Sequence, residues 1–374
     1  MLIPMLKARD RTSPSLTEEG AAHSSWAGNN LLRHWPLSDV DRRIIAHLQE
    51  DGRRPFVTIA RDIGVTEKTV RSRVRQLLTS NIIQIVALTT PSALGYKAGA
   101  LAALTTDPSV AASKIAAALT QIDDVDYVVI TTGRYGIFAE IISRNMKTLQ
   151  ETVETQIGKI AGVRSVEVFP YFSLFYQQAR FFMRGESANG VSGVRDDELD
   201  QVDKSIASEL SYDGRVALKV IADKLDISET QVRTRIQNMT TAGTMSILAI
   251  VNPMNLQNRS IAWVAIKSKG GEPLRDLADK IAQISYVSYV VICAGRFDIF
   301  AEFVCPSNDE LLDALDQKVR QIPSVGDVEA FFYLDLHYKR LVPVRGEGRP
   351  TVSSAANDAA DELQDNHADL DGQA

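Results

Sequence analysis

A chain that repeats its own pattern at one constant offset has to build one unit twice, and this constrains the fold more than any single motif. Moving 162 places, from 41 to 203, lays Asp41 on Asp203, Asp51-Gly52-Arg53 on Asp213-Gly214-Arg215, Ile59-Ala60 on Ile221-Ala222 and Val70-Arg71 on Val232-Arg233. The same offset lays Gly133-Arg134-Tyr135-Gly136-Ile137-Phe138-Ala139-Glu140 on Gly295-Arg296-Phe297-Asp298-Ile299-Phe300-Ala301-Glu302. One offset serves both matches, so the duplicated unit is the pair of regions together. A length of 374 residues, 45% of them hydrophobic, leaves room for several ordinary cores.

Each unit opens with helical periodicity. Ile44, Ile45 and Leu48 form an apolar stripe behind the cap Ser38, and Asp51-Gly52 supplies the stop. Pro55 opens a second short helix carrying Val57, Ile59, Ala60 and Ile63, closed by Gly64. Thr66 then caps a third, with Val70, Val74, Leu77 and Leu78 on one face and Lys68, Arg71, Ser72 and Arg75 on the other. Three short helices with a tight turn before the third make a helix-turn-helix candidate. A helix with an apolar back and a cationic front suits a DNA major groove; it equally suits an ordinary solvated surface.

After Asn81 the period turns extended through Ile82, Ile83, Ile85, Val86 and Leu88 to Pro91, which reads as a connecting strand. Strands near 98–104, 125–131, 137–142 and 163–172 then alternate with helices near 110–122 and 146–160. This β-α-β-β-α-β order predicts an α+β fold, a ferredoxin-like sandwich with two helices on one face of a four-stranded antiparallel sheet. The expected domains are a flexible arm 1–36, a helix-turn-helix (winged) domain 37–90, a sandwich 91–183, a linker 184–198, a second helix-turn-helix 199–252, a second sandwich 253–342 and an acidic disordered tail 343–374. Trp26 and Trp35 are candidates for local docking of the arm, and the tail is either a solubilising segment or an electrostatic mask for the basic helix.

A formal charge of -6 means that any nucleic-acid contact comes from a local patch. Cys293 and Cys305 fit no zinc spacing and no disulfide framework, so free buried thiols in a reducing cytoplasm are expected. Met1 to Leu6 is interrupted by Pro4 and followed by charge, so neither a signal peptide nor a membrane span is expected.

The two helical regions differ in charge. The first sets Arg42, Arg43, Arg53, Arg54, Arg61, Lys68, Arg71, Arg73 and Arg75 against Asp39, Asp41, Glu50, Asp51, Asp62 and Glu67. The second sets Lys204, Arg215, Lys219, Lys224, Arg233 and Arg235 against Asp200, Asp203, Glu209, Asp213, Asp223, Asp226 and Glu229. On the candidate groove face Lys68 becomes Thr230, Ser72 becomes Thr234, Arg75 becomes Gln237, and Arg71 persists as Arg233. The DNA-contact candidates are therefore Arg53, Arg54, Lys68, Thr69, Arg71, Ser72, Arg73 and Arg75 in the first copy, with Thr230, Arg233, Thr234, Arg235 and Gln237 in the second. Arg73 and Arg235 flank the apolar stripe and are equally suited to holding a neighbouring helix.

These residues resemble the Lrp/AsnC family of transcription regulators, also called feast/famine regulators. Leu37-Ser38-Asp39-Val40-Asp41, Ile44-Ile45, Leu48-Gln49 and Asp51-Gly52-Arg53 look like that family's first helix and turn, and Val70-Arg71-Ser72-Arg73-Val74 with Leu77 like its recognition helix. Asn81-Ile82-Ile83, Gly243-Thr244-Met245 and Val251-Asn252-Pro253 sit where the family enters and leaves its linking strand. The resemblance runs from Leu37 to Tyr338 and implies that one chain is a covalent pseudo-dimer whose sandwiches pack sheet to sheet. It also implies double-stranded DNA as partner, an imperfect palindrome as site, further homo-oligomerisation and a small-molecule effector, often an amino acid.

In that family a Gly-x-x-Asp turn borders the effector pocket. Gly295-Arg296-Phe297-Asp298 keeps the pattern, with Asp298 suited to an ammonium and Arg296 to a carboxylate, whereas Gly133-Arg134-Tyr135-Gly136 lacks the acid. Either glycine also serves simply as a hairpin turn. No Gly-x-x-x-x-Gly-Lys, His-Glu-x-x-His or Gly-x-Ser-x-Gly motif is present, and neither an enzyme nor a cofactor is expected. The enzyme alternative on the same fold is a siroheme decarboxylase, for which the first sandwich has no histidine. An architectural DNA binder is the third reading.

Overall fold

The computed structural model describes residues 37–177, 199–252, 254 and 259–338. The expected arm with Trp26 and Trp35, the linker and the acidic tail lie outside the described residues. Helices α1 (Asp39–Glu50), α2 (Phe56–Ile63) and α3 (Glu67–Thr79) follow their caps. The Ser38 Oγ accepts from the Asp41 N–H at 3.2 Å while Asp41 Oδ2 accepts from the Ser38 N–H at 2.9 Å, a reciprocal capping box. The second copy repeats the trio as α6 (Gln201–Tyr212), α7 (Leu218–Leu225) and α8 (Glu229–Ala242).

Neither helical trio stands alone. Strand β1 (Ile83–Thr89) pairs antiparallel with β6 (Met245–Val251), and Val86 lies opposite Leu248, the two positions that the repeat offset superposes. An approximate two-fold axis therefore passes through this pair. Ile83, Ile85 and Ala87 of β1 and Met245, Ile247, Ala249 and Val251 of β6 bury in one core with Ile44, Leu48, Val70 and Leu77 from the first copy and Ile206, Leu210, Ile221 and Val232 from the second.

Two glycines let each first turn sit on the ribbon. The Gly52 N–H donates to the Ile247 carbonyl at 2.8 Å and the Gly214 N–H to the Ile85 carbonyl at 2.7 Å. A Cβ on Gly52 would stand 2.9 Å from the Leu248 Cα, so backbone meets backbone there and no larger residue fits.

The remaining strands form one closed eight-stranded barrel in the order β10-β3-β4-β2-β5-β8-β9-β7. The first copy contributes β2 (Ala98–Thr106), β3 (Val125–Thr131), β4 (Ile137–Ser143) and β5 (Val163–Gln177), with α4 (Ala112–Leu119) and α5 (Met146–Glu151) packed outside. The second contributes β7 (Ser260–Ser268), β8 (Val287–Cys293), β9 (Ile299–Cys305) and β10 (Val325–Tyr338), with α9 (Leu274–Ala282) and α10 (Asn308–Asp313). The expected sandwich order is present in each half. The strand expected over 163–172 instead runs on to Gln177, because its first half pairs with β2 and its second half crosses to β8 of the other copy. Strand β10 does the same, from β7 to β3. The two sheets are thus stitched along both edges as well as packed face to face, which leaves the barrel no open edge.

The barrel interior has an aromatic layer, including Phe138, Phe169, Phe300 and Phe331. Beside it lies a polar layer repeated at the same offset. Glu140 Oε1 accepts from the Tyr171 hydroxyl at 2.8 Å and the Tyr289 hydroxyl at 2.6 Å; Glu302 Oε1 accepts from Tyr333 at 2.7 Å and Tyr127 at 2.6 Å. Each carboxylate therefore binds one phenol from its own copy and one from the other.

Burial raises the Glu140 carboxyl, the hydrogen bonds from Tyr289 and Tyr171 pull it back, and the nearby Glu302 raises it further, for a net upward shift. A carboxyl raised on folding adds stability in full below its unfolded value and loses it as pH rises through its folded value. The substitution Glu140→Gln keeps an acceptor for both phenols and removes the ionisation. Denaturant titrations at about pH 5 and about pH 9 are expected to show the variant gaining stability on the parent at the higher pH relative to the lower; a gain equal at both would contradict this.

Candidate nucleic-acid interface

The exposed side of α3 includes Lys68, Arg71, Ser72 and Arg75, while Val70, Val74 and Leu77 are buried against the shared core and Leu78, expected on the apolar face, is exposed. At the repeat offset α8 exposes Thr230, Arg233, Thr234 and Gln237 and buries Val232. The pseudo-symmetric chain thus presents two equivalent helix faces, the first carrying three cations and the second one. Arg71 donates to Glu67 Oε1 at 2.5 Å and Arg233 to Glu229 Oε1 at 3.0 Å, both on solvated surfaces. Such exposed pairs contribute little and exchange readily for a phosphate.

Four other sequence candidates in the first copy, and one in the second, are engaged inside the chain. Arg73 donates from Nε to Asp41 Oδ1 at 2.7 Å and from Nη2 to Asp41 Oδ2, fastening α3 to α1, and Asp41 is fully buried. Burial works to raise the Asp41 carboxyl, but the hydrogen bonds from Arg73 and Ser38 outweigh it and hold it below its ordinary value. Arg235 makes the matching pair, donating to Asp200 Oδ2 at 2.7 Å and Asp203 Oδ1 at 2.8 Å. Of the two roles open to Arg73 and Arg235 in the sequence, the geometry realises the helix-holding one.

Arg53 lies beside the pseudo-two-fold axis rather than on the outer face. Its Nε donates to the Gly214 carbonyl at 2.6 Å and its Nη2 to the Val216 carbonyl at 2.5 Å. Arg215 answers by donating from Nη1 to the Gly52 carbonyl at 2.6 Å. Arg54 is held between Glu50 and Asp62, at 2.9 Å from each. The Thr69 hydroxyl lies 2.8 Å from that of the cap Thr66.

The two glycine turns sit at the other end of the barrel from these helices' attachment. Gly133 and Gly295 have φ of 100 and 134°, so each occupies backbone space that favours glycine. Arg296 Nε donates to Glu167 Oε1 at 3.2 Å, and Arg134 Nε stands 3.8 Å from Glu329 Oε1; each turn reaches the last strand of the other copy. Asp298, expected to await an ammonium, already has one: Lys267 Nζ lies 2.8 Å from Oδ1, and the Ser268 N–H donates to Oδ2 at 2.8 Å. Gly136 has no counterpart to these contacts.

Both cysteines are free and buried, and burial pushes their thiols up to about 12. Among the described residues no group of three or more His, Cys, Asp or Glu is placed to hold a metal ion, and no helix is long and apolar enough to cross a membrane. Sequence reasoning missed the Glu140 and Glu302 phenol clusters and the Glu167 and Glu329 partners. The available signal was the recurrence of polar residues, at the repeat offset, inside otherwise apolar strands.

Comparison with known proteins agrees with this geometry. Residues 37–78 and 199–240 each match an AsnC-type helix-turn-helix domain, and residues 107–183 and 263–343 each match a C-terminal dimeric alpha+beta barrel domain. An HTH-type transcriptional regulator of Pyrococcus furiosus is 38% identical over 132 residues, which is 35% of this chain and 88% of that protein. The regulatory protein AsnC of Escherichia coli is 26% identical over 137 residues, 36% of this chain and 90% of that protein. A solved siroheme decarboxylase, NirDL, shares the fold over 83% of this chain and 95% of its own, with a TM-score of 0.56 and 16% identity. Each regulator is matched almost whole by about a third of this chain, so the chain belongs to the Lrp/AsnC family of transcription regulators and carries that family's module in tandem duplicate.

Proposed function

We propose that the chain is a sequence-specific DNA-binding regulator in the cytoplasm that docks α3 and α8 in the major groove at the two halves of an imperfect palindrome. The observation that carries this reading is the pair of equivalent exposed faces, Lys68-Arg71-Ser72-Arg75 and Thr230-Arg233-Thr234-Gln237, set on one common core. Rigid joining of two reading helices favours a site with matching two-fold symmetry. The unequal charge favours tighter binding of the first half-site, because each phosphate neutralised adds about 0.9 to the salt slope. Further association of these pseudo-dimers into homo-oligomers fits the family.

The decarboxylase reading rests on a shared fold at 16% identity. The barrel carries a single histidine, His337, and its interior polar layer is acidic, an unsuitable lining for a carboxylate-rich porphyrin.

For the effector we propose a small metabolite, an amino acid or a relative, at the Gly295-Arg296-Asp298 turn. Binding of its ammonium at Asp298 requires Lys267 to give way, and its carboxylate then has Lys267 and Arg296 as partners. The first turn, with Gly133 and Arg134, has no acid to offer. Calorimetry with amino acids on the full chain is expected to show at most one class of site per chain, lost in Asp298→Asn; two equal sites would contradict the assignment.

The DNA reading is tested with a duplex enriched from a random-sequence pool by the full chain. Arg71→Ala is expected to weaken binding about ten-fold and Arg233→Ala less, measured at one fixed salt concentration. Equal losses would remove the asymmetry, and failure to enrich any duplex would remove the function.

A further inference from the structure

The two helical trios differ at one position whose consequence crosses the repeat boundary. Phe56, at the first turn of α2, corresponds to Leu218 at the first turn of α7, and both side chains pack against the shared core. Only the phenyl ring has guanidiniums over it. The Arg215 Cζ lies 4.3 Å from the ring centroid and the Arg71 Cζ lies 5.5 Å from it. Arg215 belongs to the second copy and is held in place by the carbonyls of Gly52, at 2.6 Å, and Arg54, at 3.3 Å. Arg71 belongs to the outer face of α3, where it also pairs with Glu67.

We propose that Phe56 is the positioning residue of the first recognition helix: its ring, flanked by Arg215 of the second copy, seats Arg71 for its DNA contact, and Leu218 provides no such seat for Arg233. The inference rests on the reading of α3 as a DNA-contacting helix. Its physical basis is the attraction of a planar cation to the face of an aromatic ring, which narrows the positions an exposed arginine samples before DNA arrives. Arg215 adds a fixed like charge beside the same ring, so Arg71 is kept turned outward, toward any phosphate or base edge. The recognition helices are then unequal in the order of their arginines as well as in the number of their cations.

Phe56→Leu installs the residue that the second copy carries at this place, so the core keeps an apolar side chain. Binding is measured on a duplex enriched from a random-sequence pool by the full chain, in the parent and in the Arg71→Ala background. The variant is expected to lose about three-fold in affinity in the parent and nothing in Arg71→Ala. Equal losses in both backgrounds would make Phe56 a packing residue and overturn the proposal. The reciprocal Leu218→Phe, which sets a ring beside Arg53 and Arg233, is expected to raise affinity in the parent and not in Arg233→Ala; an unchanged affinity in the parent would also overturn it. If Arg71→Ala itself costs no affinity, the reading of α3 fails first, independently of Phe56.

Discussion

The antiparallel pairing of β1 with β6 is the contact on which the rest of the molecule depends. A three-helix unit of this size buries too little apolar surface to be secure alone, and here the two trios share one core whose floor is the two-stranded ribbon. The axis through Val86 and Leu248 then dictates where everything else lies: the first turns on the ribbon, the arginines crossing at Gly52 and Gly214, and one exposed face each of α3 and α8. The barrel obeys the same axis by a different device. There β5 and β10 each spend half their length in the other copy's sheet, so separating the copies means breaking strand ladders at both seams. Tyr338, at the end of β10, packs beside Val86 and Ile250 of the ribbon and edge-on to Tyr127 at 6.5 Å, which joins the barrel's polar layer to the underside of the helical domain.

Fusing two modules in one chain releases them from being identical. In a symmetric dimer any change appears on both sides of the axis; here Lys68 corresponds to Thr230, Arg75 to Gln237, and Phe56 to Leu218. The interior tolerates fewer differences. Asp41 with Arg73 recurs as Asp203 with Arg235, and each of Glu140, Tyr127 and Tyr171 has its double in Glu302, Tyr289 and Tyr333. Contacts that hold a helical trio together or cross between the copies must fit their packed partners, whereas outward faces answer only to what they bind.

Much of this was legible in the sequence because local signals and the repeat agreed. The caps Ser38 and Thr66, the stop at Gly64 and the apolar residues Val70, Val74 and Leu77 placed α3 correctly, since capping and 3.6-residue periodicity are local, although Leu78, expected on the same apolar face, is exposed. The length of β5 was not legible. Its second half pairs with β8, more than a hundred residues on in the chain, and nothing in residues 172–177 names that partner. The same limit hid the task of Arg53: an arginine after a first helix looks solvated until a second copy brings the Gly214 and Val216 carbonyls to it. Asp298 was recognised as an acid beside a glycine turn, but its engagement by Lys267 follows from a strand register that composition does not reveal.

Whether one pseudo-dimeric chain reads DNA with both α3 and α8 is decided by attaching a DNA-cleaving group to the exposed positions Ser72 and Thr234 in turn and mapping the cuts on an enriched duplex. Two cleavage centres separated by about one helical turn or a multiple of it are expected. Coincident centres, or cuts from one position alone, would contradict this.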